Sequence, residues 1–227
     1  MIEFLFLDLD DTILDFRKAE YEALGRTLLT FGVEPEDGLR QRYHEINKAH
    51  WQMLERGEIT RDKLRSSRFV EFFRELGMEI NGGECARVYE SNLSRGYFFL
   101  PGALETLEAL KGRYRMFLAS NGNAHVQHGR LRGTNLYPYF EKVFISQEMG
   151  FNKPAKEYFE RCFAQIPGFA REKCLMVGDS LSSDILGGIN AGIQTCWVNP
   201  GHKESGEIKP NYEIEALTQL PELLKGL

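Results

Sequence analysis

Residues 1–12 read Met-Ile-Glu-Phe-Leu-Phe-Leu-Asp-Leu-Asp-Asp-Thr. An apolar run from Ile2 to Leu7, stopped at once by acids, limits the fold more than any other stretch. Its length and abrupt polar end predict a buried parallel strand rather than a helix. Asp8 and Asp10 then stand at the carboxyl end of that strand, where ligands bind in open α/β sheets. Side chains two apart on a strand share a face, so the two carboxylates face the same way. Such a pair is costly to desolvate unless something positive sits between them. A hard divalent cation such as Mg2+ meets that need. The alternative is a strand that simply runs into an acidic surface turn.

The remaining chain supports an enclosing fold. Residues 17–97 carry helical patterning, with glycines at 32, 57 and 77 as helix stops and Thr60 as an N-cap. Helices are expected over 19–31, 36–56, 60–76 and 83–95. Beyond Pro101-Gly102 the pattern alternates. Strands are expected at 116–119, 143–145, 174–177, 195–198 and 212–214, with helices between them, including one over 183–191. Alternation of this kind makes a parallel sheet with right-handed crossovers. The fold class is therefore α/β. Residues 1–16 and 98–227 form a parallel-sheet core, and 17–97 form an inserted helical domain.

A net charge of -5 leaves no basic field to hold a nucleic acid polymer by its phosphates. The four cysteines, Cys85, Cys162, Cys174 and Cys196, form no paired motif and read as core residues of a reducing compartment. No stretch suits a signal peptide or a membrane span, so a cytoplasmic protein without membrane partners is expected.

Four expected strand ends deliver polar residues to one sheet edge: Asp8 and Asp10, Ser120-Asn121, Lys153, and Asp179 with Asp184. Metal-dependent phosphoryl transfer needs an anionic nucleophile, a proton donor, a cation and donors for the equatorial oxygens. An aspartate nucleophile splits that reaction into two easier steps through an acyl phosphate. Each residue also has a plainer reading. Ser120 could be a helix N-cap, Lys153 a solvated loop residue, and Asp184 an acid favoured by a helix dipole. His125 and His128 read as surface helix residues.

Asp8-Leu9-Asp10-Asp11-Thr12, Ser120-Asn121-Gly122, Lys153-Pro154 and Gly178-Asp179-Ser180 with Asp184 resemble, in order, the four motifs of the haloacid dehalogenase (HAD) superfamily. The helical insertion resembles that family's C1 cap on a Rossmann-like core. The resemblance implies that Asp8 is the nucleophile and a Mg2+ ligand. Asp10 is then the general acid and later the base, with its backbone carbonyl on the metal. Ser120 and the backbone N–H groups of Asn121 and Gly122 hold the phosphoryl oxygens. Lys153 offsets the charge, Asp179 ligates Mg2+, and Asp184 ligates it through water or orients Asp179.

The cap chooses the substrate. His44, Asn47, Lys48 and Trp51 fall on one helical face, and an aromatic beside amide and ammonium donors suits a planar polar base. The same Trp could instead pack inside the cap. Ile46-Asn47-Lys48 with Trp51, Gly57 to Thr60, and the run from Ser183 to Trp197 resemble the YjjG-like pyrimidine 5'-nucleotidases. Asn123 and Asn152 depart from that pattern, and both lie near the expected pocket mouth.

These readings imply a Mg2+-dependent phosphomonoesterase acting on a nucleoside 5'-monophosphate, with Asn47 and Trp51 touching the base. A phosphatase of sugar phosphates is the nearest alternative. A dehalogenase has no alkoxide to protonate and needs no acid at Asp10. A phosphomutase shares the phosphoenzyme. A receiver-type phosphoacceptor domain has its acceptor after a later strand and no cap. A monomer or a homodimer is expected.

Overall fold

The computed structural model describes residues 1–227. Its strands are β1 (Phe4–Leu7), β2 (Arg115–Ser120), β3 (Lys142–Ile145), β4 (Cys174–Gly178), β5 (Gln194–Val198) and β6 (Tyr212–Ile214). They form one parallel sheet in the order β3-β2-β1-β4-β5-β6. β1 is central because both of its faces are apolar. Phe4 and Phe6 join the core on one side, and Leu5 and Leu7 join the core on the other. Leu7 lies opposite Leu118 and Val177. The residues that follow each of these three strands therefore meet at one edge.

Between β1 and β2 the chain inserts α1 (Phe16–Thr30), α2 (Asp37–Glu55), α3 (Arg61–Glu75) and α4 (Gly82–Leu93). The first helix starts three residues before the expected Ala19, because Asp15 accepts from the Lys18 N–H at 2.8 Å and caps it. Thr60 caps α3 and Asn81 caps α4 in the same way, each worth about 0.5–2 kcal/mol. The block packs on its own aromatic core of Tyr43, Phe69, Phe72, Phe73 and Tyr89. Its two connections to the sheet run side by side. Leu14 bridges Phe99, Asp15 N–H bonds Phe98 O at 2.8 Å, and Leu100 N–H bonds Ile13 O at 3.0 Å.

The remaining helices are α5 (Ala103–Leu110), α6 (Ala124–Gly133), the short α7 (Ser146–Met149), α8 (Lys156–Phe163), α9 (Leu186–Ala191) and α10 (Leu220–Lys225). The helix expected over 183–191 is formed over 186–191, and its first turn is widened. Residues 181–185 make a wide turn in which Ser180 O accepts from the N–H groups of both Asp184 and Ile185, and α9 follows. Wide turns of this type often sit at functional sites. No helix is long and apolar enough to cross a membrane.

Candidate active site

At the carboxyl edge of the sheet, Lys153 is the hub. Its ammonium, only 1% exposed, donates to Asp8 Oδ1, Asp184 Oδ1 and the Ala119 carbonyl, each at 2.6 Å. Three donors meet three acceptors, so the lysine is fully satisfied. It is therefore a buried loop residue rather than a solvated one, and Asp184 is no mere dipole acid. The Lys153 backbone is pinned too: its N–H donates to Asn121 Oδ1, and Asn121 Nδ2 donates to its carbonyl, both at 2.8 Å. The Asn121 side chain thus positions Lys153 rather than reaching for a ligand. Asp184 Oδ2 accepts from the Ser180 N–H at 3.1 Å. A Cβ at Gly178 would overlap the Asp184 carboxylate, which explains the glycine before Asp179.

Asp8, Asp179 and Asp184 each offer an oxygen within 4.8 Å of the others. Burial pushes the Asp8 carboxyl upward; Lys153 opposes this, and Asp184 and Asp10 add to it. Burial also raises Asp179 well above the carboxylate range, helped by Asp184 and Asp8. Burial works against the charge on Lys153, but Asp184 and Asp8 outweigh it and raise its pKa. One lysine cannot balance this much negative charge. An all-oxygen donor set with an uncompensated charge suits a hard divalent cation, which lowers the pKa of the acids that bind it.

Ser120 is buried, and its Oγ accepts from Gly122 N–H at 3.1 Å and from Gln127 Nε2 at 2.8 Å. Asp10 is held by both oxygens. Gln127 donates to Oδ2 at 2.6 Å, and the fully buried Arg130 donates to Oδ1 through Nη1. Arg130 also donates to the Gly96 carbonyl at 3.1 Å, where the chain returns from the helical block. Sequence reasoning missed both anchors. Their signal was the i, i+3 spacing of Gln127 and Arg130 on the helix that opens after Asn123, a face unlike the one bearing His125 and His128. His125 is exposed, and His128 pairs with Glu148 and the Tyr137 hydroxyl.

Over this edge lies a cavity of about 270 Å3 whose far wall is the helical block. Asp8, Asp10, Ser120, Asn121, Gly122, Lys153, Asp179 and Asp184 all border it. Trp51, Glu55, Arg68, Tyr89 and Glu90 form the roof. Trp51 is thus brought to the site, and Asn47 is not. Asn47 is 2% exposed and lies inside the block, where Nδ2 donates to Glu20 Oε1 at 2.6 Å and Oδ1 accepts from Arg68 Nη1 at 2.5 Å. The supposed common face divides because helix packing turns Asn47 inward: His44 pairs with Glu20, and Lys48 stays exposed. The roof is tied down by polar contacts. Arg61 donates to the carbonyls of Asn121 and Gly122, to Ser146 Oγ at 2.6 Å and to Asn152 Oδ1. Ser182 Oγ donates to Glu55 at 2.9 Å, and Asn123 Nδ2 donates to Glu90 at 3.4 Å. Asn123 and Asn152, the two departures in the sequence, therefore both meet the helical block.

Acids gathered at the carboxyl edge of a parallel sheet, under a helical block, define an α/β protein with a carboxylate-lined cavity. The chain belongs to the haloacid dehalogenase-like hydrolases, whose family profile matches residues 2–192. It is 40% identical over 224 residues to the pyrimidine 5'-nucleotidase PynA of Streptococcus pneumoniae, covering 98% of this chain and 94% of that one. It is 34% identical over 223 residues to the pyrimidine 5'-nucleotidase YjjG of Escherichia coli, covering 98% and 97%. Its structure superposes, with a TM-score of 0.94, on that of YfnB of Bacillus subtilis, named as a HAD-hydrolase and bound to magnesium. That pair is 38% identical, and 98% of each chain is covered.

Proposed function

We propose that the protein is a Mg2+-dependent pyrimidine nucleoside 5'-monophosphatase that works through a phosphorylated Asp8. The observation that carries this reading is Lys153 bridging Asp8 and Asp184 beneath a cavity roofed by Trp51. The similarity to two pyrimidine 5'-nucleotidases supports the choice of substrate.

Asp8, Asp179, Asp184 and the Asp10 carbonyl would hold Mg2+, which supplies positive charge against the phosphoryl oxygens. An Asp8 carboxylate oxygen attacks phosphorus, and the bond from phosphorus to the ester oxygen breaks. Asp10 gives its proton to the departing oxygen. Asp10, now a carboxylate, takes a proton from water as that water attacks the phosphoaspartate. The Asp8–phosphorus bond breaks, releasing phosphate and restoring Asp8. Gln127 and Arg130 orient the Asp10 carboxyl group for both steps. Lys153 keeps Asp8 oriented and offsets charge as the phosphate develops.

The test is initial-rate turnover of UMP, dUMP, AMP, sugar phosphates and p-nitrophenyl phosphate, with Mg2+ and with EDTA. UMP or dUMP should give the highest kcat/KM, and EDTA should silence all of them. A preference for sugar phosphates would overturn the nucleotidase reading. Full activity in EDTA would overturn the metal assignment.

A further inference from the structure

The cations around the cavity differ in how fully they are engaged. Lys153 has three acceptors for its three N–H donors. Arg61, Arg65 and Arg68 follow one another at i, i+4 and i+7 along α3, and Arg68 borders the cavity. Arg61 is bound to four acceptors of the sheet-edge loops. Arg65 grips both oxygens of Glu90, at 2.5 and 2.6 Å. Arg68 alone is left open. It borders the cavity at 5% exposure, yet within the protein only its Nη1 is hydrogen-bonded, to Asn47. Its Nε is sealed without a partner, and its guanidinium lies 5.0 Å and 5.2 Å from the rings of Phe69 and Tyr89.

A guanidinium carries five N–H donors, and a buried one with a single bond is rare in a settled core. Its support explains how this one persists. Asn47 passes Arg68 on to the buried Glu20, which His44 Nδ1 also binds at 2.5 Å. The counter-charge is thus held at one remove, behind a neutral amide. A carboxylate in direct contact would occupy both arms of the guanidinium. The amide occupies one and leaves the Nη2 arm for the cavity.

We propose that Arg68 is the residue that reads the leaving group, donating from Nη2 to a carbonyl oxygen on a planar base, with Asn47 and Glu20 as its positioning residues. This rests on the nucleotidase reading above and narrows it. Every pyrimidine base carries the O2 carbonyl, whereas adenine carries no carbonyl at all. The aromatic wall of Tyr89 and Trp51 accepts either ring by stacking, so the charge-assisted hydrogen bond at Arg68 supplies the discrimination.

The experiment measures the ratio of kcat/KM for UMP to that for AMP in wild type, R68M, R68K and N47L, each with Mg2+. R68M should lower the ratio about ten- to a hundredfold, carried mainly by KM for UMP. R68K keeps the charge but loses the planar fork, and should fall between wild type and R68M. N47L should shift the ratio in the same direction by a smaller factor. Should R68M not fold, R68K and N47L carry the same comparison. An unchanged ratio in the folded variants, with wild type still preferring UMP, would overturn the role of Arg68 and leave the nucleotidase reading standing. A wild-type enzyme with no preference for UMP over AMP would remove the pyrimidine reading, and the role of Arg68 with it.

Discussion

The floor and the roof of the cavity are built on opposite plans. The floor gathers Asp8, Ser120, Lys153 and Asp184 from the ends of four different strands or the segments that follow them, and each is fixed by at least one hydrogen bond. The roof comes from one continuous helical block, rests on aromatic packing, and leaves Arg68 with a single bond. A phosphoryl group is the same in every phosphomonoester, so the groups that handle it can be fixed in advance and gain from rigidity. Leaving groups differ, so the surface that selects among them keeps open donors and a stacking face. The polar contacts of Arg61, Glu55 and Glu90 with the core loops hold the two surfaces against each other.

Substitutions that act on the floor should affect all substrates alike, and the largest effect belongs there. Asp8→Asn should lower kcat at least about a thousandfold on UMP and on p-nitrophenyl phosphate equally. Steady-state rates with both esters check this; a loss confined to one of them would mean that floor and roof are not separable.

Changes in the roof should divide the substrates. Trp51 lines the cavity, half-buried, with the Arg61 guanidinium 5.7 Å from its ring. Trp51→Ala should lower kcat/KM for UMP about ten- to a hundredfold, the worth of one stacked base. The loss on p-nitrophenyl phosphate should be several times smaller. Equal losses would make Trp51 a packing residue of the block.

The contact between the two surfaces can be cut directly. Arg61→Met removes every bond from α3 to Asn121, Gly122, Ser146 and Asn152. KM for UMP should rise about three- to tenfold while kcat falls less, since substrate must then also bring the roof down. A larger radius of gyration by small-angle scattering should accompany it. A fall in kcat alone would place Arg61 on the reaction rather than on closure.

The smallest effect concerns pH. The hydrogen bond and charge of Glu20 raise His44 above its ordinary pKa of 6.5, with burial opposing. A raised histidine stabilises the fold fully below the unfolded value and loses that contribution as pH rises through the folded value. His44→Gln should therefore cost stability at about pH 6 and very little at about pH 9. Urea midpoints at the two pH values measure this. An equal cost at both would show that His44 is not charged against Glu20.

The chain order of short apolar runs, each ended by an acid, a serine or a glycine, determined the sheet and the floor. A parallel strand has only one carboxyl end, and neighbouring strands in register bring their ends together. Hence the sequence alone groups Asp8, Ser120, Lys153, Asp179 and Asp184, and all of them border the cavity. The wide turn at 181–185 was not legible, because Ser183 to Ala191 carries an ordinary helical pattern and only the bond from Asp184 to Lys153 shows what the turn places. Tertiary structure alone decided the roof and the anchors of Asp10. A helix turns about 100° per residue, so its periodicity defines a face but not which neighbour that face meets. Asn47 and Trp51 share a face by spacing, yet packing against α1 and α3 sends Asn47 to Glu20 and leaves Trp51 at the cavity. Arg130 reaches Asp10 across 120 residues of chain, a pairing that exists only once α6 is packed beside the returning chain at Gly96.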